Sequence, residues 1–279
     1  MSYQSILVHV DDGERVVVRL GAAARLARSF DAELIGAYVV PTAALTPSVS
    51  AILPDSMVQE RMREMGDAQS AAEALFRAAA ARARVAAAEW RAPAGEAVPA
   101  LVEHARCTDL VVLGQRDPDD QHGDFAGDVV NALVLQSGRP VLAIPYAGAP
   151  TPLGATILVT WNGTRESARA VADAMPMLAR AEKVFLLTIF DKGDQPVAEG
   201  HAEQRLATWL RYHGIDAIPR HYHMPDVDIA ELILSQTADL GADLIVMGGY
   251  SHSPLQERVL GGVTRHVLDT MTVPVLLSH

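Results

Sequence analysis

Short, continuous apolar runs alternate along this chain with longer stretches of helical pattern. Ile6-Leu7-Val8-His9-Val10 is followed by an Ala-rich, Arg-containing stretch from Val17 to Phe30. Ile157-Leu158-Val159-Thr160-Trp161 is followed by a similar stretch from Glu166 to Ala181. Leu110 to Leu113 and Leu244 to Met247 are apolar at every position rather than at alternate ones. A strand that is apolar on both faces suits a parallel sheet covered by helices on both sides. Such strands alternating with helices predict a doubly wound α/β fold with right-handed crossovers.

The pattern occurs twice. Asp109-Leu110-Val111-Val112-Leu113-Gly114 returns as Asp243-Leu244-Ile245-Val246-Met247-Gly248, 134 residues later. Arg139-Pro140-Val141-Leu142-Ala143-Ile144 returns at the same offset as Val273-Pro274-Val275-Leu276-Leu277-Ser278. The opening strands, from Ile6 and Ile157, are 151 apart, so the first half carries 17 more residues between its first strand and its Leu-Gly strand end. These are placed between Pro41 and Asp67, as a surface loop and a lengthened helix running from Val58 to Ala83, with a lid over a pocket as the sharper alternative. The stretch from Pro145 to Pro152 breaks both helix and strand and reads as a linker. The expected organisation is two domains, 1–147 and 153–279, each a mostly parallel five-stranded sheet in the order 3-2-1-4-5. The stretch from His201 to His213, with Leu206, Trp209 and Leu210, is expected as a helix packed on the sheet. The closing strands, Pro140 to Ile144 and Pro274 to Ser278, are edge candidates that invite pairing.

Composition removes several functions. The formal charge of −11 disfavours nonspecific binding to nucleic acid or anionic membrane, which needs clustered Lys and Arg. A small anion held by backbone amides remains compatible with it. The single cysteine, Cys107, fits a reducing compartment and is expected as a buried structural thiol. The N-terminal residues lack the pattern of a signal peptide, and no apolar run approaches the ~18 residues of a membrane span, so a cytoplasmic location is expected.

In open α/β sheets, ligands bind outside the carboxyl ends of the strands, where the strand order reverses. In the second half one such end carries Gly248-Gly249-Tyr250-Ser251-His252-Ser253, and then Gly261-Gly262-Val263-Thr264 at the start of a helix. Glycine permits close backbone approach, and a helix N-terminus favours an anion. The arrangement would cradle phosphate without a lysine; plain turn chemistry explains isolated glycines equally well. It is neither a Walker A loop nor a dinucleotide fingerprint, and Gly-x-Ser-x-Gly is absent, which disfavours a hydrolase. His221-Tyr222-His223 alternates as on a strand face, but no third metal ligand follows from spacing, so these histidines are expected at the surface or paired with protein groups.

On these residues the chain resembles the universal stress protein family, twice over and across nearly its whole length. The family motif is Gly-x2-Gly-x9-Gly-Ser/Thr after the fourth strand, with an Asp after the first. The resemblance implies tandem Rossmann-like domains of HUP type. It places Gly248 at the first motif glycine and Gly261 at the third, with Val263 and Thr264 following. Met247 and Ile189 match apolar positions that enclose the base in nucleotide-binding members. The implied pocket sets Thr160, Asn162, Ile189 and Met247 around the base. It sets Gly248, Ser251, His252, Gly261, Gly262, Val263 and Thr264 around the phosphates of ATP or another adenine nucleotide, with Mg²⁺ where phosphates require it.

Three departures stand out: Ser251 at the second glycine, Gly262 at the hydroxyl position, and Asn162 in place of Asp. Losing one hydrogen bond to a charged group costs about 1.5–3 kcal/mol, or 10- to 100-fold, so weakened ATP binding is expected. In the first half Gly114 and Gly127 keep the spacing, but Asp117, Asp119, Asp120, Asp124 and Asp128 crowd the loop and would repel a polyphosphate. The first half is therefore expected to support the fold. In the family the closing strands pair across a dimer. A tandem chain would form this pseudo-dimer internally, and two chains could pair further. The resulting expectation is a nucleotide-binding stress sensor or regulator with no identifiable catalytic base. The rival is a scaffold for another small ligand or a protein partner.

Overall fold

The computed structural model describes residues 2–41, 54–115, 126–146, 148–190, 196–223, 228–250 and 262–279. Internal contacts divide the chain into two compact units, 2–139 and 140–279.

In unit 2–139, strands β1 (Ser5–Val10), β2 (Glu33–Tyr38), β4 (Ala88–Arg91) and β6 (Leu110–Gly114) form a parallel sheet in the order β4-β2-β1-β6. Two short strands, β3 (Val40–Pro41) and β5 (Ala94–Gly95), pair separately. Helix α1 (Val16–Phe30) follows β1 and α2 (Asp55–Ala83) follows β2 and β3. Helix α3 (Ala97–Ala105) precedes β6 and α4 (Ala126–Gln136) follows it. The strands are apolar on both faces because both are covered: Ile6, Leu7, Val8, Leu110, Val111 and Val112 are all fully buried.

Helix α2 absorbs much of the extra length of the first half. It has 29 residues, against 17 in α6 (Pro196–Tyr212), the helix in the same place of the second half. Its buried residues, Ala72, Phe76, Ala79 and Ala80, all lie in its C-terminal half. The remainder is sustained by local pairs such as Arg61–Glu64 and by strong helix formers. The other part of the expected insertion, residues 42–53, lies outside the described residues.

In unit 140–279 the order is β10-β9-β8-β11-β12-β7, from β7 (Val141–Ile144), β8 (Thr156–Trp161), β9 (Lys183–Phe190), β10 (Ala217–His223), β11 (Leu244–Gly248) and β12 (Val275–Ser278). From β10 to β12 this is 3-2-1-4-5, parallel throughout. The helices are α5 (Arg165–Leu178), α6, α7 (Ile229–Asp239) and α8 (Gly262–Thr270). Strand β7, which closes the first repeat in sequence, pairs antiparallel with β12, which closes the second: Leu142 faces Leu276. All four side chains of each strand are buried, so these former edges are covered, as their apolar sequence demands.

The repeated aspartates that open β6 and β11 have one structural role. Asp109 Oδ2 accepts from the N–H groups of Gln4 (2.8 Å) and Ser5 (3.0 Å). Asp243 accepts from Gly154 (2.8 Å), Ala155 (3.0 Å) and Thr156 (3.3 Å). Each satisfies the amides entering the first strand of its repeat, at the end of the sheet opposite the candidate site.

Cys107 departs from expectation. It is exposed rather than buried. It follows the end of α3, and the inward positions of that turn are taken by Ala105 and Thr108, whose hydroxyl donates to Ala105 O at 2.9 Å.

Candidate functional site

In unit 140–279 the chain leaves β8 toward β9 on one side and reaches β11 on the other. The switch point therefore lies at the carboxyl ends of β8 and β11. The buried strands open there: Val159, Leu187 and Val246 are at most 1% exposed, whereas Thr160, Ile189 and Gly248 are half-buried. Register and pleat assign the faces. Thr160 lies beside Leu187 and Trp161 beside Thr188, while Val246 lies beside Val159. Side chains alternate, so Thr160, Met247 and Ile189 share one face, and Gly248 and Trp161 share the other. Three of the four expected base-pocket residues are thus brought together, and Asn162 is the first residue beyond β8. Trp161 faces the opposite side. Its indole Nε1 is buried without a partner among the described residues.

Helix α5 is set tightly against the end of β11. A Cβ built on Gly248 would lie 2.6 Å from Ser167 N and 2.7 Å from the carbonyl carbon of Glu166. The first motif glycine is therefore required by the backbone of α5. Thr164 caps this helix: its Oγ1 accepts from Ser167 N at 3.3 Å and donates to Asn162 Oδ1 at 2.8 Å. Thr164 N also donates to Asn162 Oδ1, at 3.3 Å. Glu166, buried in the first turn, would be raised by burial. The hydrogen bond from Arg165 Nε (2.5 Å) and neighbouring donors outweigh this and hold its carboxyl below the ordinary value.

After β11, Gly249 N donates to Ser278 O (2.8 Å), and Gly249 O meets His279 Nδ1 (3.0 Å). Tyr250 turns in the left-handed region, φ 56°, and its N–H donates to Thr264 Oγ1 at 3.2 Å. Thr264 is buried and uses its oxygen to hold this turn against α8, while Gly262 and Val263, which begin that helix, are half-buried. Burial pushes the Tyr250 hydroxyl up to about 12, so it stays protonated at neutral pH. Ser251, His252 and Gly261 lie outside the described residues.

The corresponding corner of unit 2–139 is charged. Arg19 extends from α1 to the ends of β1 and β6. Its Nε donates to His9 O (2.7 Å), and its Nη2 lies 2.8 Å from Asp11 Oδ2 as an ion pair. Its Nη1 occupies the space a Cβ on Gly114 would need, 2.2 Å away. Burial would raise Asp11, but the Arg19 guanidinium, aided by His9 and the Gly13 N–H, holds its carboxyl below the ordinary value. Burial carries His9 the other way, down to about 4, with Asp11 opposing and Arg19 assisting. By the 151-residue offset, His9, Asp11, Gly13 and Arg19 correspond to Thr160, Asn162, Thr164 and Ala170. The acidic side chains Asp117, Asp119, Asp120, Asp124 and Asp128 lie outside the described residues.

His9 gives this unit a pH dependence of defined sign. The folded state excludes the imidazole proton until about pH 4, whereas the unfolded chain takes it near 6.5. Its contribution is therefore complete above about pH 7 and is lost as pH falls from 6.5 toward 4. Between pH 7 and pH 5 the loss is ~2 kcal/mol. Urea unfolding of the wild type and His9→Gln at both pH values should show a pH difference smaller by that amount in the variant. Equal pH differences would remove His9 as the responsible group.

Among the described residues no three His, Cys, Asp or Glu side chains gather as a metal site. His221 pairs with buried Glu203, and His266 Nδ1 lies 3.1 Å from Asp228 Oδ2, so these histidines have protein partners. Among the described residues no helix is long and apolar enough to cross a membrane. Sequence reasoning missed Thr164 and Arg19. The first is signalled by its cap position three residues before Ser167, and the second by an arginine within an otherwise apolar helix face.

Known proteins share this architecture. "Universal stress protein Rv2005c" of Mycobacterium tuberculosis is 27% identical over 204 residues, covering 65% of each chain, so this chain spans just under two thirds of that relative's length. The crystal structure of a universal stress protein from Archaeoglobus fulgidus superposes with a TM-score of 0.76 at 18% identity, covering 98% of this chain and 97% of that one. A putative universal stress protein from Pseudomonas aeruginosa gives a TM-score of 0.60 at 15% identity, covering 99% and 93%. The sequence model of the universal stress protein family matches residues 2–145 and again 155–279, and the chain therefore belongs to that family, with its domain present twice.

Proposed function

We propose that this chain is a nucleotide-binding stress sensor or regulator that takes ATP or another adenine nucleotide in its second repeat, 153–279, with Mg²⁺ as the counter-ion of the phosphates. The observation that carries the reading is the shared face of Thr160, Ile189 and Met247 where otherwise buried strands open at the switch point. Asn162 follows β8 directly, and α8, which begins at Gly262, is the next element after β11. The first repeat, 1–147, serves the fold, because Arg19 and Asp11 neutralise each other in the equivalent corner. The role proposed is binding and regulation in the cytoplasm, with slow ATP hydrolysis as the alternative to test.

Denaturing fresh protein and identifying released small molecules by mass spectrometry tests this, beside a Mg·ATP titration. Gly262→Ser restores the hydroxyl the family motif carries and should tighten ATP about tenfold. Gly261→Asp should abolish binding. No released nucleotide and no binding at millimolar concentrations would instead favour a scaffold for another ligand or a protein partner.

A further inference from the structure

Helix α6 is seated on its sheet through two unlike halves. Its inward positions, Glu203, Leu206 and Leu210, recur at helical spacing, and all three are buried. The second and third are apolar. The first is a carboxylate, 3% exposed, and it meets His221 of β10. The strands carry a polar row at the same level. His221 lies beside Thr188 of β9, and Thr188 lies beside Trp161 of β8. Cross-strand neighbours in register point to one face, so this is the face on which Glu203 reaches His221. Thr188 is 7% exposed, and neither its Oγ1 nor Trp161 Nε1 has a hydrogen-bond partner among the described residues. Both atoms are closed off from water. A hydroxyl, an indole N–H and a carboxylate are therefore shut in together near the carboxyl ends of the strands, where the amino-terminal half of α6 covers them.

We propose that the amino-terminal half of α6, through Glu203, is a hinged flap that lifts from the sheet while the half held by Leu206 and Leu210 stays seated. A buried polar atom left without a partner costs its desolvation, and opening returns that cost by admitting water. The closed flap thus pays for Thr188 Oγ1 and Trp161 Nε1, and the open one does not. Local openings of this kind occur where few apolar contacts hold an element, well below the free energy of global unfolding. The inward side of α6 has that character before Leu206 and loses it after. The flap lies on the face of the sheet opposite Thr160, Ile189 and Met247, so its movement is independent of whether a nucleotide binds there.

Hydrogen exchange on the full chain tests this, read by mass spectrometry for the backbone and by NMR for the indole N–H of Trp161. The amides of α6 before Leu206 should exchange at least tenfold faster than those of β8 and β9. The Trp161 indole proton should exchange with those α6 amides rather than with the strands. Thr188→Val removes the hydroxyl and keeps the shape, so it should favour the closed flap and slow exchange in α6 about fivefold. If the start of α6 and the Trp161 indole are protected as strongly as β8 and β9, there is no flap. If Thr188→Val speeds exchange in α6, the hydroxyl is satisfied in the closed form and the proposed cause of opening is overturned. The indole measurement is made on the wild type, so it decides the matter even if Thr188→Val fails to fold.

Discussion

Asp11→Asn should destabilise unit 2–139 by about 3 kcal/mol, through the arginine it abandons rather than through its own lost contacts. Arg19 is 5% exposed, and Asp11 is the only carboxylate paired with it among the described residues. Asparagine keeps the shape of aspartate and the turn bond from Gly13, but leaves a buried guanidinium without its counter-charge and places an amide near it. Breaking a buried pair from one side typically costs 3–5 kcal/mol; the lower end applies because the Asp11 side chain is 35% exposed and water reaches it. Arg19→Met removes the cation and keeps an unbranched chain against Gly114, so Asp11→Asn combined with Arg19→Met should recover most of the loss. Urea unfolding of the two single variants and the double variant forms the cycle. Additive losses, or a loss below about 1 kcal/mol for Asp11→Asn alone, would show that Arg19 does not depend on Asp11.

The same pair explains a departure that the sequence displayed without a reason. Asp11 coexists with Arg19, and Asn162 with Ala170 at the corresponding positions. Where the helix contributes a cation, the strand end contributes a carboxylate. Where it contributes a methyl group that is fully buried, an amide suffices. The two repeats have become one charged and one neutral version of a single corner. The glycine facing each corner has correspondingly different neighbours, Arg19 Nη1 at Gly114 and the α5 backbone at Gly248.

What could be read in advance follows from how local each signal is. The duplication and the parallel sheet rest on apolar runs and their spacing, which are carried within single strands and helices, whereas the order 3-2-1-4-5 belongs to the assembled sheet and no single run encodes it. The shared face of Thr160, Ile189 and Met247 follows from the same alternation once β8, β9 and β11 are neighbours. The pairing of Arg19 was not legible: its place on an apolar helix face signals burial, but which carboxylate meets it is known only once the preceding strand end is placed beside it. The exposure of Cys107 was hidden for a related reason: which residue of a helix-terminal turn points inward depends on how the helix ends, and here Ala105 and Thr108 do. Thr264 was expected among the phosphate ligands, yet its oxygen already serves the Tyr250 amide, a contact between residues 14 apart that no spacing rule encodes.

Gly248→Ala carries the other large expectation, a loss of about 3 kcal/mol, at the upper end of what overpacking a filled site costs. The added methyl would stand 2.6 Å from Ser167 N, 2.7 Å from the Glu166 carbonyl carbon and 3.0 Å from its Cβ. Two of these three are backbone atoms of a capped helix turn, and none is the tip of a flexible side chain. At Gly114 the nearest atom is Arg19 Nη1, which can swing away at the cost of its ion pair. At Gly248 relief requires the first turn of α5 to retreat. That movement would pull Thr164 from Asn162, at the border of the proposed pocket. Gly248→Ala should therefore lower stability and weaken nucleotide binding together, without any direct contact between residue 248 and the ligand. Urea unfolding and a nucleotide titration on the same preparation would separate the causes. Wild-type stability with lost binding would make Gly248 a direct phosphate contact. Joint loss would mean that the first motif glycine is required in this chain by the seating of α5 against β11.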